Sequence, residues 1–599
     1  MRSFLSARNL RNGGSRRMKI IDIDLTNRKI KATDDEKLDK YLGGVILATE
    51  IFTKNCSPTI DPLSKENIIV IANGPLTAAF PTASKAVAMF KSPLNNELGE
   101  SYAGGRMASA LRFAGYDAII IRGKATHPVY LAIHDDSITV KNAELLWNLR
   151  SVFAVGRILR DAEPQGPGRR SFIRTGRAGD RLVKYANVNV DNYRHFGRLG
   201  LGAVFGSKNL KALVIEGTKD FVFPDMKAYK KVYREIYNHL NNSDDMDKYH
   251  ILGTAAGIKS INAMGALPTR NFSSGKFEHI DNISGEYFAD NLLLRKIACS
   301  QCPVGCIHVA YLRVPYKKEE YDVETTFVPY DYELIYAFGS NLGIKSGSDV
   351  LRLIEIADRN GFDIISLGGI LAWATDAFQE GLISATDTMG VNLEFGDTIN
   401  YLTAVNLIIR RANGFYHTLG EGIDACVEKY GGKQYAVRIG GQTPAGYMTG
   451  PASIIGHIIG QRHSHLCNAG YSYDQKAFGK EMKPTEVVDS LVEEEKWRLI
   501  LNSLVVCLFA RKVFNIERTL SSLNSIGKNY TEELLLKLAE DAYQKKNQWK
   551  KDAGQKFSLE KLAERLFRFK TPHGFIKKEF IHEAIDYYSK ISNIPLDSK

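Results

Sequence analysis

The stretch Asn67-Ile-Ile-Val-Ile-Ala-Asn73, which runs directly into Gly74-Pro75, carries the clearest signal of the fold. Its apolar residues are mostly β-branched and are bounded by turn residues, a pattern typical of a short buried strand. Further apolar runs of this kind follow at Ala86–Phe90, Tyr116–Arg122, Pro128–Ile133, Ala186–Val190 and Leu210–Glu216. We therefore expect residues 18–217 to form a sheet-rich domain.

Beyond about residue 220 the apolar residues recur with the period of an α-helix. The predicted helices are Met226–Leu240, Glu333–Leu342, Asp349–Arg359, Leu367–Glu380, Asn400–Ala412, Pro484–Leu504 and Thr531–Lys550. We expect two mainly α-helical domains, residues 218–430 and 431–599, divided at Tyr430-Gly431-Gly432-Lys433. The predicted fold class is therefore α+β.

The composition of the 599 residues, 44% apolar and 24% charged, excludes a disordered or collagen-like chain. No apolar run reaches the roughly 18 residues of a membrane-spanning helix. The net charge of +12 includes five arginines in residues 1–17, which we expect to be a disordered basic tail or, as the alternative, an organellar transit peptide. The remaining charge is diffuse, so we expect a cytoplasmic protein without nucleic-acid or membrane partners.

Three of the seven cysteines lie in Cys299-Ser-Gln-Cys302-Pro-Val-Gly-Cys306, a spacing that favours metal binding over disulfides. A [4Fe–4S] cluster would need a fourth thiolate, for which the downstream candidates are Cys426, Cys467 and Cys507. The alternative is a compact zinc site in which His308 is the fourth ligand.

Many ordered sequence blocks surround these cysteines. They are Tyr41-Leu-Gly-Gly44, Asn73-Gly-Pro-Leu-Thr77, Lys91-Ser-Pro-Leu94, Phe113-Ala-Gly-Tyr-Asp117, Gly197–Asn209, Gly265–Phe272, Tyr332-Glu333, Phe338–Gly343 and Asp358–Asp363. With the cysteines, they make the chain from about Met18 to Arg511 resemble the tungsten-containing aldehyde ferredoxin oxidoreductase family. The resemblance implies a sheet-rich N-terminal domain that seats two pterins, two mainly helical domains, and a tungsten (or molybdenum) bis-pterin beside a [4Fe–4S] cluster.

The resemblance also implies residue roles at both cofactors. Cys507 would be the fourth cluster ligand, and Lys85 stands where the family has an arginine that links pterin to cluster. Asp358 would accept hydrogen bonds from the edge of a pterin, because a carboxylate can accept two parallel N–H groups. Asp363 ends the same block. Asn502 stands where the family has a carboxylate that binds the second pterin.

A Mg²⁺ ion that bridges the pterin phosphates is implied at main-chain positions matching Tyr102, Phe196, Gly197 and Arg198. Glycines suit such positions because the main chain must approach the phosphates closely. Ordinary turn chemistry also explains these glycines. The block Gly200-x-Gly202-x-x-x-Gly206 resembles a dinucleotide fingerprint as well, although no strand-like run leads directly into it.

Glu333 and His465 match the two acid–base residues of the family. A buried carboxylate of raised pKa can act as a base, and an imidazole can polarise a carbonyl. The alternative for Glu333 is a carboxylate that only stabilises a helix N-terminus. His463 is the alternative to His465, and Cys467 is a candidate tungsten ligand.

The predicted function is the oxidation of an aldehyde with water to a carboxylic acid, with electrons passed to ferredoxin or to an Fe–S partner subunit. Two alternatives stay open. One is a reductive family member that acts on an aromatic acyl thioester or carboxylic acid. The other is a non-catalytic zinc or Fe–S scaffold subunit. A homodimer is expected only by analogy.

Overall fold

The computed structural model describes residues 17–315 and 322–597. Apart from Arg17, the predicted basic tail lies outside the described residues. The strands of the N-terminal region are β1 Lys19–Asp24, β2 Lys29–Asp34, β3 Ile69–Ala72, β4 Ala86–Lys91, β5 Leu98–Ala103, β6 Ala118–Arg122, β7 Val129–His134, β8 Ser137–Asn142, β9 Arg169–Thr175, β10 Val188–Val190, β11 Arg194–Phe196 and β12 Leu210–Gly217. Each predicted apolar run overlaps one of these strands.

The first sheet has the strand order β2-β1-β6-β3-β4-β5, in which only β1 and β6 run parallel. Its central strands are buried on both faces, which explains their continuous apolar sequences. In β3, Ile69 and Ile71 point into one core cluster, whereas Val70 and Ala72 point into another. This period-2 alternation is what a pleated strand imposes on consecutive side chains.

The second sheet has the order β11-β10-β9-β12-β7-β8 and faces the first across a shared apolar core. Strands β7 and β12 run parallel at its centre, with Leu213 opposite Leu131. The short strand β11 lies at one edge and brings residues 194–196 toward the first sheet, since β11 contacts β5. This edge becomes one wall of the candidate site.

The helices are α1 Gly44–Asn55, α2 Met107–Phe113, α3 Val152–Ala162, α4 Arg177–Asp180, α5 Leu201–Ser207, α6 Met226–Asn241, α7 Asp244–Leu252, α8 Ile258–Ala263, α9 Gly285–Asn291, α10 Tyr332–Ile335, α11 Gly347–Asn360, α12 Ile364–Gln379, α13 Thr398–Arg410, α14 Gly414–Glu421, α15 Ile423–Tyr430, α16 Pro451–Ile459, α17 His465–Asn468, α18 Gly470–Lys476, α19 Pro484–Ser503, α20 Ile516–Ser525, α21 Glu532–Asp552, α22 Glu564–Arg568 and α23 Lys578–Ser592. The predicted α+β class is confirmed. Among the described helices, none has both the length and the apolar character needed to cross a membrane.

Between the predicted helices, the mainly helical region also contains a three-stranded antiparallel sheet that was not predicted, made of β13 Leu293–Ile297, β14 Ile307–Pro315 and β15 Val323–Tyr330. The sheet packs one face on the main core and carries arginines on the other, so its apolar runs are interrupted by charged residues. A two-stranded hairpin of β16 Lys570–Thr571 and β17 Gly574–Phe575 lies near the C-terminus. The domain boundaries stay predictions.

Ion pairs with two buried carboxylates join helix α21 to the N-terminal region. Lys546, fully buried, pairs with Glu100 of β5, and Lys545 pairs with Glu50 of α1. A buried charge is costly without a partner, so these pairs fix the position of α21 against the first sheet. The packing thereby brings C-terminal residues to the edge where β5 meets β11.

Candidate active site

Four thiols from two distant parts of the chain meet beside the first sheet. Cys299, Cys302 and Cys306 lie in the loop between β13 and β14, and Cys507 follows α19. The main-chain N–H of Cys507 donates to the carbonyl of Thr82 at 3.0 Å, which anchors this loop. Burial, followed by the charge of the nearby Cys507, raises the pKa of the Cys302 thiol to about 12. The structure therefore brings Cys507 to the three-cysteine motif.

The other candidate fourth ligands lie in different surroundings. Cys426 is buried in α15, where its thiol donates to the carbonyl of Thr418 at 3.6 Å. Cys467 in α17 lies against Gly460 and interacts with the guanidinium of Arg462. Neither environment contains another thiol of the motif.

Two cations face the thiols. The guanidinium of Arg194 lies 3.8 Å from the sulfur of Cys306. At Gly104, a Cβ atom would lie 2.8 Å from the sulfur of Cys299 and 3.4 Å from Nζ of Lys85, so only glycine lets these two side chains meet there. Burial alone would raise the pKa of the Cys299 thiol, but Arg194 and Lys85 outweigh burial and hold this pKa below its usual value.

This donor set fits an iron–sulfur cluster better than a zinc ion. Within the described residues, no three His, Cys, Asp or Glu side chains converge as a single metal ion requires. A cubane cluster binds each thiolate at a different iron, so its ligands need not converge. The ring nitrogens of His308 are already engaged, one with the carbonyl of His250 at 3.0 Å and one with the hydroxyl of Tyr330 at 3.3 Å. His308 is therefore not available as the fourth ligand of the compact zinc site.

Glu333 and His465 come together in the buried interior. Glu333 lies in the first turn of α10, behind the N-cap Asp331, and His465 begins α17. Oε1 of Glu333 lies 3.5 Å from Nε2 of His465. Oε1 of Glu333 and Nδ1 of His465 are buried without a hydrogen-bond partner in the described structure. Unsatisfied buried polar atoms of this kind are typical of a site that awaits a ligand.

The environment shifts both groups towards their neutral forms. Burial and the nearby Asp331 raise the pKa of Glu333 to about 8. Burial, followed by His457 and nearby arginines, lowers the pKa of His465 well below its usual value. A neutral carboxyl and a neutral imidazole can exchange a proton with a bound molecule near neutral pH.

The segment 443–447 holds these two residues in place. The main-chain N–H of Gly446 donates to Oε2 of Glu333 at 3.3 Å, and that of Ala445 donates to Nε2 of His457 at 3.3 Å. The ring of Tyr447 lies between those of Tyr332 and Tyr471, with centroid distances of 4.3 and 4.6 Å. The catalytic candidates therefore share one rigid wall of main chain and aromatic rings.

His463 points away from Glu333. Its Nε2 lies 2.8 Å from Oε2 of Glu97, and its Nδ1 lies 2.9 Å from the carbonyl of His457. The residue precedes the N-cap Ser464 and has a φ of 51°, which turns its side chain away from the face of His465. Of the two candidate histidines, the structure places His465 beside Glu333.

The predicted pterin residue Asp358 lies in the last turn of α11. Its Oδ1 is 2.5 Å from Nε2 of His195, while its Oδ2 is buried without a partner in the described structure. Oδ1 of Asn189, whose amide is 3.0 Å from the same imidazole, is also unsatisfied. These two buried acceptors fit the N–H donors of an aminopyrimidine edge.

The remaining predicted cofactor residues are more dispersed. Asp363 caps helix α12 and accepts from Nε of Arg198 at 3.2 Å, so its carboxylate is already occupied. At Gly197, a Cβ would meet no atom within 4 Å, which indicates open space beside Arg198 and the buried Phe196. Asn502 lies in the last turn of α19, where its carbonyl would be 2.5 Å from a Cβ at Gly44.

Tyr102 takes part in a different network. Its hydroxyl donates to Glu100 at 2.7 Å, and the guanidinium of Arg462 lies 4.6 Å from its ring centroid. The predicted role of Tyr102 uses only its main chain, which this side-chain network leaves available.

The dinucleotide alternative does not fit the glycines of α5. A Cβ at Gly200 would lie 2.1 Å from the carbonyl of Lys184, and one at Gly206 would lie 2.0 Å from that of Gly179. These glycines therefore permit close contact between main-chain segments, and no space for a pyrophosphate lies against them.

Two family models match nearly the whole chain. The N-terminal domain of aldehyde ferredoxin oxidoreductase matches residues 20–217, and domains 2 and 3 match residues 231–592. The chain belongs to the aldehyde ferredoxin oxidoreductase family. It is therefore an oxidoreductase, as the sequence blocks predicted.

Curated relatives of this aldehyde ferredoxin oxidoreductase family member agree with that assignment. The tungsten-containing aldehyde ferredoxin oxidoreductase of Pyrococcus abyssi is 32% identical, over 96% of this chain and 95% of its own. The WOR-like subunit of an aliphatic sulfonate oxidoreductase from Pyrococcus furiosus is 32% identical over 67% of this chain and 66% of its own. The active-site complex BamBC of benzoyl coenzyme A reductase shares the fold, with a TM-score of 0.79, 18% identity, and coverage of 96% and 95%.

Four residues of the site were not predicted from the sequence: Arg194, His195, His457 and Tyr447. Arg194 and His195 directly precede the predicted Phe196-Gly197 block, so proximity to that block was the available signal. His457 and Tyr447 carry no local motif, because their roles depend on contacts made only after folding.

Proposed function

We propose that this chain oxidises an aldehyde with water to a carboxylic acid and passes the electrons to ferredoxin or to an Fe–S partner subunit. The observation that carries the proposal is the buried pair of Glu333 and His465, 3.5 Å apart, with one unsatisfied polar atom on each residue. A base and a hydrogen-bonding imidazole at one buried point are what proton removal from a hydrated carbonyl requires.

We infer a bound tungsten (or molybdenum) bis-pterin, a [4Fe–4S] cluster and a Mg²⁺ ion between the pterin phosphates. The tungsten in the names of the curated relatives and the unsatisfied acceptors at Asp358 and Asn189 support the pterin assignment. Cys299, Cys302, Cys306 and Cys507 would hold the cluster. Tyr102 and the segment from Phe196 to Arg198 would approach the phosphates. The metal, when bound, supplies two-electron redox chemistry at the substrate carbon.

Glu333, His465 and the stacked tyrosines would have different roles around the substrate. Glu333, as a carboxylate, would take a proton from the water molecule whose oxygen attacks the carbonyl carbon. His465 is neutral and would donate a hydrogen bond to the substrate oxygen. The stacked tyrosines exclude water from one side of the pair, which strengthens both interactions.

Activity with small dyes tests this proposal directly. Purified protein should reduce a viologen dye with an aldehyde as electron donor, and it should contain iron together with tungsten or molybdenum. A protein that contains zinc and neither iron nor a group-six metal would refute the proposal and support the scaffold alternative.

A second candidate is reduction of an aromatic acyl thioester or carboxylic acid. The observation that favours it is the stack of Tyr332, Tyr447 and Tyr471 beside His465, because aromatic walls suit planar ligands. Inactivity on every aldehyde tested, combined with reduction of an aromatic acyl acceptor by a reduced dye, would favour this candidate over the first.

A further inference from the structure

The sheet β13–β15 leaves part of one face outside the protein core, although Val309 on that face is buried. Phe327 of β15, 46% exposed, lies directly opposite Tyr311 of β14 on this face. The other face carries Ala310 and Val328, which are buried in the main core. We call Arg295, Tyr311, Arg313 and Phe327 the outer face of the sheet.

Arginines lie over the aromatic rings of the outer face. The guanidinium of Arg295 is 5.9 Å from the ring centroid of Phe327, and that of Arg313 is 5.3 Å from the ring centroid of Tyr311. Arginine and aromatic residues are the types enriched at the centres of protein interfaces. Cation–π contacts hold these side chains in place before any partner arrives, which lowers the entropic cost of binding.

The outer face adjoins the four-thiol site in sequence and in space. Strand β13 ends two residues before Cys299, and β14 begins immediately after Cys306. A guanidinium N–H of Arg295 donates to the hydroxyl of Tyr193 at 3.4 Å. Tyr193 directly precedes Arg194, whose guanidinium contacts the sulfur of Cys306. A molecule seated on this face would therefore lie close to the thiols.

We propose that the outer face is the docking site of an acidic iron–sulfur protein that accepts the enzyme's electrons. This inference rests on the proposed function. It adds the docking surface and the charge of the protein that accepts the electrons. Each transfer would oxidise the chain's own cluster by one electron and reduce the acceptor's cluster by one, so two transfers follow each two-electron oxidation of substrate. The two arginines and the chain's net charge of +12 complement an acidic partner.

The test compares two charge-reversed variants of the complete enzyme. Arg295→Glu with Arg313→Glu alters the outer face. Arg568→Glu with Lys570→Glu alters two exposed cations near the C-terminal hairpin and is the matched control. The probe is an acidic bacterial-type [4Fe–4S] ferredoxin, and a viologen dye reports turnover that needs no docking. Biolayer interferometry measures ferredoxin binding independently of activity.

We expect the outer-face variant to lose at least tenfold in kcat/KM for ferredoxin and in ferredoxin affinity at low ionic strength, because charge complementarity raises association rates by about 10–1,000-fold. High salt should reduce this difference. Viologen reduction and the control variant should match wild type. Phe327→Ala, which changes no charge, should also weaken ferredoxin binding.

Equal ferredoxin binding and reduction by wild type and both outer-face variants would overturn the docking inference while leaving the proposed function intact. Loss of a dimer in Phe327→Ala, seen by light scattering without any loss of ferredoxin reduction, would assign the face to a second copy of this chain and also overturn it. Absence of viologen reduction in wild type would instead refute the proposed function, and the binding measurement would still decide the docking inference.

Discussion

Replacement of Glu333 by glutamine tests the role of the carboxylate, because the structure gives its expected pH dependence. Burial and Asp331 raise its pKa from the usual 4.5 to about 8. Each pKa unit corresponds to about 1.4 kcal/mol, so the site disfavours the carboxylate by about 5 kcal/mol. At pH 7 only about one Glu333 in ten is ionised. A rate that needs the carboxylate should therefore rise about tenfold towards pH 9.

The assay is dye-linked aldehyde oxidation between pH 6 and 9. Glu333→Gln should lower kcat by about 10²–10⁴-fold, the usual contribution of a general base, and should abolish the rise with pH. Iron and tungsten contents should stay at the wild-type level. Glu579→Gln, at an exposed position in α23, is the control and should change neither rate nor profile. Full activity of Glu333→Gln, or a wild-type rate that is flat across this range, would refute the assigned role.

The same carboxyl links stability to pH in the cofactor-free protein. Its pKa is about 8 when folded and near 4.5 when unfolded, so the folded state binds more protons between these values. The contribution of Glu333 to stability is therefore complete below pH 4.5 and is lost as pH rises through 8, by at most about 5 kcal/mol. Chemical unfolding of wild type and Glu333→Gln at pH 5 and 8.5 measures it. If the difference in unfolding free energy between wild type and Glu333→Gln were the same at pH 5 and pH 8.5, the raised pKa would be contradicted.

Three further predictions concern other residues. Cys507→Ser should lower iron content and leave far-UV circular dichroism unchanged, whereas Cys426→Ser should retain all iron; the reverse result would reassign the fourth ligand. His465→Ala should reduce kcat by at least about tenfold, while His463→Ala should act mainly on stability through its buried contact; equal losses of kcat would remove the distinction between them. Lys546→Met leaves its buried glutamate partner without its main counter-charge and should destabilise the fold by about 3–5 kcal/mol in urea unfolding; a wild-type midpoint would contradict the importance of this pair.

Six of the twelve strands of the N-terminal region were predicted, because burial on both faces gives them a continuous apolar sequence. The run from Asn67 to Asn73 contains β3, and that from Ala86 to Phe90 contains most of β4. The sheet β13–β15 was missed because only one of its faces is buried and the other carries arginines.

The candidate site was predictable only in part, because sequence motifs report local chemistry and the site is assembled from distant segments. The spacing of three cysteines predicted a metal site, but Cys507 lies about two hundred residues further along, and only the family resemblance selected it. His463 and His465 are two residues apart, and only the family resemblance favoured His465. The N-cap Ser464 lies between them, and the main-chain conformation there directs the two side chains to different places.

The charges beside the four thiols differ from those beside Glu333 and His465, and this difference would separate protons from electrons. Arg194 and Lys85 lie beside Cys299, where their charges lower the pKa of a thiol and would stabilise the negative charge of a reduced cluster. At the other end, burial favours a protonated Glu333 and a neutral His465. A proton released from substrate would therefore be held at Glu333, while an electron would be favoured at the cationic end. If the two ends act independently, Lys85→Glu should slow reduction of the cluster. It should leave unchanged the rise in rate with pH that is assigned to Glu333. A rise in rate that moves to a different pH in Lys85→Glu would show that the two ends are not independent.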